Sequence, residues 1–298
     1  MRRGLATRLR WRIEAAAAFL VFALFRLLGP VAAGALGAAV ARTLGPRLRV
    51  SRVAQRNLEI AFPERDAAFR AATIRAMWDN LGRTVAELPN LARLSCTTLG
   101  TEHIAAVAPD APLIFVSAHL ANWEVLQGAA ARAGRPFAVV YRAIGNPHID
   151  AMVRRFRAAA TPGPPMPLLP KGASGARGAL AHLRGGGALA MLVDQKMNDG
   201  IAVPLFGRPA MTAPAAAQLA LRFGCPVIPG RVLRDGGGKF RAIAEAPIAV
   251  PVTGDRQADI EAMTAAINAT LERWIRERPG EFLWLHRRFE KSLYREPA

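Results

Sequence analysis

Five histidines and 22 acidic residues are spread over a chain of 298 residues, and one histidine stands where chemistry is easiest to build. The stretch Ile114-Phe-Val-Ser-Ala-His119-Leu-Ala-Asn-Trp-Glu124 passes from an apolar run into an Ala-rich segment, which reads as a strand leading into a helix. An unbroken helix would set His119 and Glu124 about 140° apart, so they can meet only with His119 on the loop and Glu124 on the first helical turn. Asn122 suits the N-cap of that helix, and Glu124 then lies where a carboxylate favours the helix dipole. A carboxylate touching an imidazole raises its basicity and fixes its tautomer. Such a histidine can take the proton of an acceptor hydroxyl while that oxygen attacks an acyl thioester. No Ser or Cys nucleophile is required, and the chain has no GxSxG elbow. Spacing alone does not decide the matter. By chance, five histidines and 22 acids would give about 0.4 such pairs in this length, and a surface histidine beside a capping carboxylate is the competing reading.

The elements that must position these residues are legible as alternating textures. Short apolar runs at 112–117, 137–141, 189–193, 226–232 and 240–244 are separated by helical patterns at 122–133, 148–159, 172–184 and 213–223. That alternation predicts an α/β fold with a mostly parallel central sheet covered by helices. Residues 48–92 read as helical with a break at Phe62-Pro63, and an amphipathic helix over 256–278 precedes the terminal PGEFLWLHRRFE. TPGPPMPLLP (161–170) reads as a loop inside the domain, and Phe206-Gly207-Arg208-Pro209 as a tight turn.

Ahead of this domain lies a different segment. Residues 13–41 are nearly all apolar, interrupted by Arg26 and broken at Gly29-Pro30. Arg2, Arg3, Arg8, Arg10 and Arg12 precede the run, and Arg42, Arg47, Arg49, Arg52 and Arg56 follow it. Two equally basic flanks put both ends in the cytoplasm by the positive-inside rule. A helical hairpin or an in-plane anchor broken at Pro30 is therefore favoured, with the long stem of Arg26 free to snorkel to headgroups. A single span and a buried helix pair of a soluble core remain the alternatives. The expected division is a basic, apolar membrane anchor over 1–45 and an α/β domain over 46–298.

Composition narrows the partners. Forty Lys and Arg against 22 Asp and Glu give a net charge of +18, carried chiefly by arginine, in a chain that is 52% apolar. Such a field favours polyanions. Nucleic acid is the first candidate for a basic protein, but aromatics make up only 7%, lysine is rare, and no zinc-finger or ribonucleoprotein motif is present. An anionic membrane surface fits better. Cys96 and Cys225 lie far apart with no metal-binding or disulfide pattern, and no HExxH occurs, so no metal is implied.

The SAHLANWE stretch resembles the HxxxxE box of the lipid A late acyltransferases, the lauroyl and myristoyl transferases of the lysophospholipid acyltransferase superfamily. The resemblance continues in order through RNLEIAFPE (56–64), MWDNLGRTVAEL (77–88), VVYRAIGNPHID (139–150), LVDQK (192–196), PLFGRPAMT (204–212) and PVIP (226–229), and ends in FLWLHRRFE (282–290). It implies a glycerolipid acyltransferase-like fold, with His119 and Glu124 as the catalytic dyad. Arg157 then matches an arginine required for activity and Asp194 an acidic active-site position, while Arg142 and Gln195 fall in well-matched motifs as substrate-binding candidates. His286 is given no chemistry. The implied reaction is acyl transfer from acyl-acyl carrier protein to a hydroxyl of a Kdo-bearing lipid A precursor, at the cytoplasmic face of the inner membrane, without metal or dissociable cofactor. Two alternatives stay open: acylation of another membrane glycolipid of the phosphatidylinositol mannoside type, and a non-catalytic membrane-bound or nucleic-acid-binding scaffold.

Overall fold

The computed structural model describes residues 5–163, 166–249 and 253–294. Arg2 and Arg3 of the basic flank, and Pro164 and Pro165 of the proline-rich loop, lie outside these. The strands are β1 (Ser95–Leu99), β2 (Leu113–Ser117), β3 (Phe137–Tyr141), β4 (Leu168–Pro170), β5 (Ala188–Leu192), β6 (Lys196–Leu205), β7 (Arg208–Thr212), β8 (Val227–Gly236) and β9 (Lys239–Ala244). The helices are α1 (Leu5–Leu44), α2 (Ser51–Ala61), α3 (Ala67–Glu87), α4 (Thr101–Ala105), α5 (Val125–Arg132), α6 (Pro147–Ala160), α7 (Ala173–Arg184), α8 (Ala215–Phe223) and α9 (Arg256–Glu277).

Seven strands form the central sheet in the order β1-β9-β8-β2-β5-β3-β4. Its pairings are parallel apart from β8 with β9, as the alternating pattern predicts. β2 is buried at every position, which is why its sequence is an unbroken apolar run. Its side chains divide with the strand period. Ile114 and Val116 join the large core with Leu58, Met77 and Trp274, while Leu113 and Phe115 pack with Ile104, Phe137 and Ile228 on the opposite face.

Four strands depart from the sequence reading. The expected loop 161–170 ends in the edge strand β4, paired with β3. β1 at the other edge alternates between exposed and half-buried positions, so its run SCTTL carries little apolar signal. β6 and β7 form a separate antiparallel hairpin whose turn is the expected Phe206-Gly207 pair, both at positive φ.

The apolar N-terminal segment is helical from Leu5 to Leu44 and breaks at Gly29, whose φ of 74° and ψ of 170° lie outside the helical region. Pro30 has no N–H to return to the carbonyl of Arg26, and Arg93 Nη1 donates to that carbonyl at 3.2 Å instead. Asn90 Nδ2 donates to the neighbouring Phe25 carbonyl at 2.7 Å. The break expected at Gly29-Pro30 is thus present and chemically satisfied. Arg26 differs from expectation. It does not reach outward to headgroups but donates to the Pro89 carbonyl at 2.6 Å.

Both halves of α1 rest on the rest of the chain. The second half crosses α3 so closely that a Cβ on Gly37 would lie 2.4 Å from the Gly82 carbonyl oxygen. The first half meets α6, where Phe22 stacks edge-on against Phe156 and Asn146 Nδ2 donates to the Trp11 carbonyl at 2.9 Å. Its other side is bare: Leu5, Phe19, Leu20 and Leu27 are each more than half exposed, Leu27 at 85%. The segment is long and apolar enough to cross a membrane, and only 6% of its most apolar stretch is buried.

Candidate active site

Three neighbouring strands deliver the site. In a parallel sheet, functional groups gather beyond the carboxyl ends of the strands. β2 ends at Ser117 and leads to His119; β5, beside it, ends at Leu192 and leads to Asp194; β3, beside β5, ends at Tyr141 and leads to Arg142. Ser117 pairs with Leu192, and Val193 N–H donates to the Ser117 carbonyl at 2.9 Å. His119 and Asp194 therefore each stand two residues past a matched pair, and a period of two puts both side chains on one face.

They meet there. His119 Nδ1 lies 2.9 Å and 3.0 Å from the two carboxylate oxygens of Asp194. Ionised carboxylate accepts only, so Nδ1 carries the proton and Nε2 is left with its lone pair. Burial pushes the imidazole towards its neutral form, but the charge and hydrogen bond of Asp194, with a further contribution from the charge of Glu124, outweigh it and hold the group above its ordinary value. Burial acts on Asp194 in the raising direction and is likewise outweighed by His119, which keeps the carboxyl below its usual range. Trp123 closes one side of the imidazole, edge-on at 4.9 Å between centroids.

Glu124 is engaged elsewhere. Its two oxygens accept from Arg157 Nε and Nη2, each at 2.7 Å, in a side-on bidentate pair. Arg157 comes from α6, and its guanidinium also lies over the Tyr141 ring at 5.5 Å. Contact with Glu124 holds the Arg157 cation above its ordinary value despite burial. The expected hydrogen bond between His119 and Glu124 is thus replaced by two separate pairs, His119 with Asp194 and Glu124 with Arg157. The helical part of the expectation is shifted: Glu124, not Asn122, is the residue that caps α5, which begins at Val125, while Asn122 Oδ1 accepts the Glu124 backbone N–H at 3.2 Å in the turn before it.

The loop between His119 and Glu124 is strained and clamped. Ala121 has a φ of 49°, a left-handed conformation that a residue with a Cβ adopts at a cost. Its N–H donates to the Glu281 carbonyl at 3.0 Å, and the Leu283 N–H donates to the His119 carbonyl at 3.0 Å. The C-terminal FLWLHRR segment, to which the sequence assigns no chemistry, thus pins the loop that bears His119. It also brings His286 to 6.1 Å from His119 between ring centroids. Burial and the charge of His119 push the His286 imidazole below its ordinary value.

A cavity of about 780 Å³ opens at His119. Glu124, Arg157, Arg142 and Gln195 line it, together with Lys171, Arg287 and His286 around its polar part. Gln195 links two of these, accepting from Lys171 Nζ at 3.4 Å and lying 3.2 Å from His286 Nε2. Arg142 is exposed at the rim. The remainder of the cavity runs between α5 and the sheet past Leu126, Ala130, Phe137, Ala190 and Ile104, a wall without charge. Asp194 is buried behind His119 rather than lining the opening, so it reaches the cavity only through the imidazole. Lys171 and His286 carry no sequence signal beyond membership of matched or basic stretches. Their placement depends on loops from distant parts of the chain.

A base backed by a buried carboxylate, opening onto an apolar cavity beyond a parallel sheet, is an arrangement suited to group transfer onto or from a lipid. The chain belongs to the bacterial lipid A biosynthesis acyltransferases: the model of that family matches residues 5–291. It is an acyltransferase by that membership. Among solved structures, the 1-acyl-sn-glycerophosphate acyltransferase of Thermotoga maritima is similar at 13% identity, with a TM-score of 0.35, over 88% of this chain and 98% of that one. No curated protein matches the chain significantly.

Proposed function

We propose that the protein transfers a fatty acyl chain from acyl-acyl carrier protein to a hydroxyl of a Kdo-bearing lipid A precursor, with His119 as general base. The observation that carries this is the His119–Asp194 pair at the mouth of the apolar cavity. His119 Nε2 takes the proton of the acceptor hydroxyl as its oxygen bonds to the thioester carbonyl carbon. The imidazolium so formed is stabilised by Asp194 and by the charge of Glu124. Collapse of the tetrahedral intermediate breaks the carbon–sulfur bond, and His119 returns its proton to the departing thiolate. Arg157 holds Glu124 in a bidentate ion pair, and its Nη1, without a hydrogen bond among the described residues, is the donor available to the oxyanion.

The apolar arm of the cavity suits the acyl chain, each buried methylene contributing about 0.8 kcal/mol. Arg142, Lys171 and Arg287 at the polar part suit the phosphates of the acceptor, with Gln195 holding Lys171 in place. The net charge of +18 favours both the acidic carrier protein and the anionic acceptor. Incubating the enzyme with tetraacyl precursor and a panel of acyl-carrier and acyl-coenzyme A donors, and weighing the product by mass spectrometry, tests the reading. One added acyl group from carrier-bound donor supports it. Acylation of a mannosylated lipid but not of the lipid A precursor overturns it.

Residues 1–45 serve in this reading as an anchor at the cytoplasmic face of the inner membrane, and 46–298 as the catalytic domain. Contacts of both halves of α1 with the domain favour in-plane insertion, with the bare side of the helix towards lipid. Cysteine introduced as Ala6→Cys should react with an impermeant maleimide only after the inner membrane is opened. Labelling from the periplasmic side of intact spheroplasts would overturn the in-plane arrangement and leave the enzymatic reading standing.

A further inference from the structure

Beneath the loop that bears His119, on the side away from the cavity, lies a buried ion pair that the chemistry above does not use. Glu87, at the end of α3, is 2% exposed, and its Oε1 accepts from Arg234 Nη1 of β8 at 2.5 Å. Its other oxygen, Oε2, accepts from Asn122 Nδ2 at 2.8 Å. Asn122 is fully buried, and its Oδ1 caps the N–H of Glu124. Arg234 reaches further: Nε donates to Asn80 Oδ1 at 3.2 Å and Nη2 to Thr84 Oγ1 at 3.3 Å. Asn80 Nδ2 and Thr84 Oγ1 in turn donate to the carbonyl of Ala121, at 3.0 Å and 3.1 Å. One guanidinium therefore fixes all three side chains of α3 that hold residues 121–124 from below.

We infer that Glu87 and Arg234 are positioning residues for the acyl-transfer reaction, acting through Asn122 to aim Glu124 at the site. Two features point this way. A buried ion pair contributes little net stability compared with a packed apolar pair, and its best-attested use is to fix one geometry among several. The loop it fixes carries a left-handed alanine, a conformation that persists only where its surroundings over-determine it. The side chain of Asn122 has one acceptor and one donor in use, so its amide serves both partners at once, which a carboxylate of the same shape could not.

This rests on the reading of His119 and Glu124 as catalytic, and its test separates the two. Asn122→Asp keeps the oxygen that caps Glu124 but sets a second carboxylate against Glu87. The kcat should fall about tenfold or more, as small misplacements of reacting groups do, with the KM for acyl donor little changed. Adding Glu87→Gln reverses the polarity of the contact, since the new amide donates to the carboxylate introduced at position 122 while its oxygen still accepts from Arg234. The double variant should regain kcat to within about threefold of the parent, as coupled neighbours do. Should Asn122→Asp not fold, Asn122→Ala, which leaves the Glu87–Arg234 pair intact, carries the same expectation of lowered kcat at unchanged KM. A single variant with full kcat, or a double variant that regains its melting temperature but not its kcat, would overturn the inference. If His119→Ala and Glu124→Gln themselves stay active, the catalytic reading is what has failed. If both are inactive while the Asn122 series is silent, only the positioning role falls.

Discussion

Replacing His119 by alanine is expected to lower kcat/KM by about 10²–10⁴-fold while leaving the fold in place, since the proposed base would contribute directly to the reaction and little to the core. Its side chain is 16% exposed and its ring contacts are with Trp123, Asp194 and His286 at the cavity, so truncation opens space already continuous with the cavity. The loss should be independent of acyl chain length and of acceptor concentration, because the missing step is proton transfer. Steady-state assays over a range of acceptor concentrations, beside thermal unfolding in detergent, check this. Activity within tenfold of the parent would remove His119 from the mechanism. An unfolded variant would mean instead that the imidazole holds the loop.

Arg157→Leu should produce the largest loss of stability among the site residues. It leaves the carboxylate of Glu124, whose side chain is 7% exposed, buried without its cation. Breaking a buried pair from one side costs about 3–5 kcal/mol, because the remaining charge is uncompensated. Activity should vanish as well, since Glu124 loses the bidentate contact that positions it near His119. Changing both partners, Glu124→Leu with Arg157→Leu, should restore most of the stability because packed apolar side chains can replace a buried pair. It should not restore activity. That separation distinguishes a functional pair from a structural one: a double variant that regained both would show that Glu124 has no part in the chemistry.

Much of this site is legible in the sequence, and the reason that the rest is not is specific. The central strands announce themselves because β2 is buried throughout, and β5 and β8 begin with consecutive buried residues on both faces, so all three open on apolar runs. His119, Asn122 and Glu124 lie within six residues, so local rules suffice to put them on the turn between β2 and α5, though the cap falls at Glu124 rather than at Asn122. The partner of His119 is another matter, because proximity along the chain favours Glu124. Asp194 is 75 residues away, and it is brought in only by the register of β2 with β5, which no local pattern encodes. Arg26 misleads for a related reason. An arginine within an apolar run suggests headgroups, but the carbonyl that it serves belongs to Pro89, in a turn from another part of the chain. The edge strands β1 and β4 escape because edges need little apolar surface.

In the proposed mechanism Asp194, rather than Glu124, is the partner that makes His119 a base, and the pH dependence of kcat/KM tests this most directly. The base must be unprotonated to act, and Asp194 holds its imidazole above the ordinary value of about 6.5. In the parent enzyme, activity should therefore rise with pH through an inflection above that value to a plateau. Asp194→Asn removes the charge that outweighs burial, so the inflection should move to lower pH while the plateau falls by about 10³–10⁴-fold. Glu124→Gln should move the inflection in the same direction by less, since its charge is the smaller influence. An Asp194→Asn enzyme that kept both the inflection and the plateau of the parent, while Glu124→Gln displaced them, would contradict this assignment.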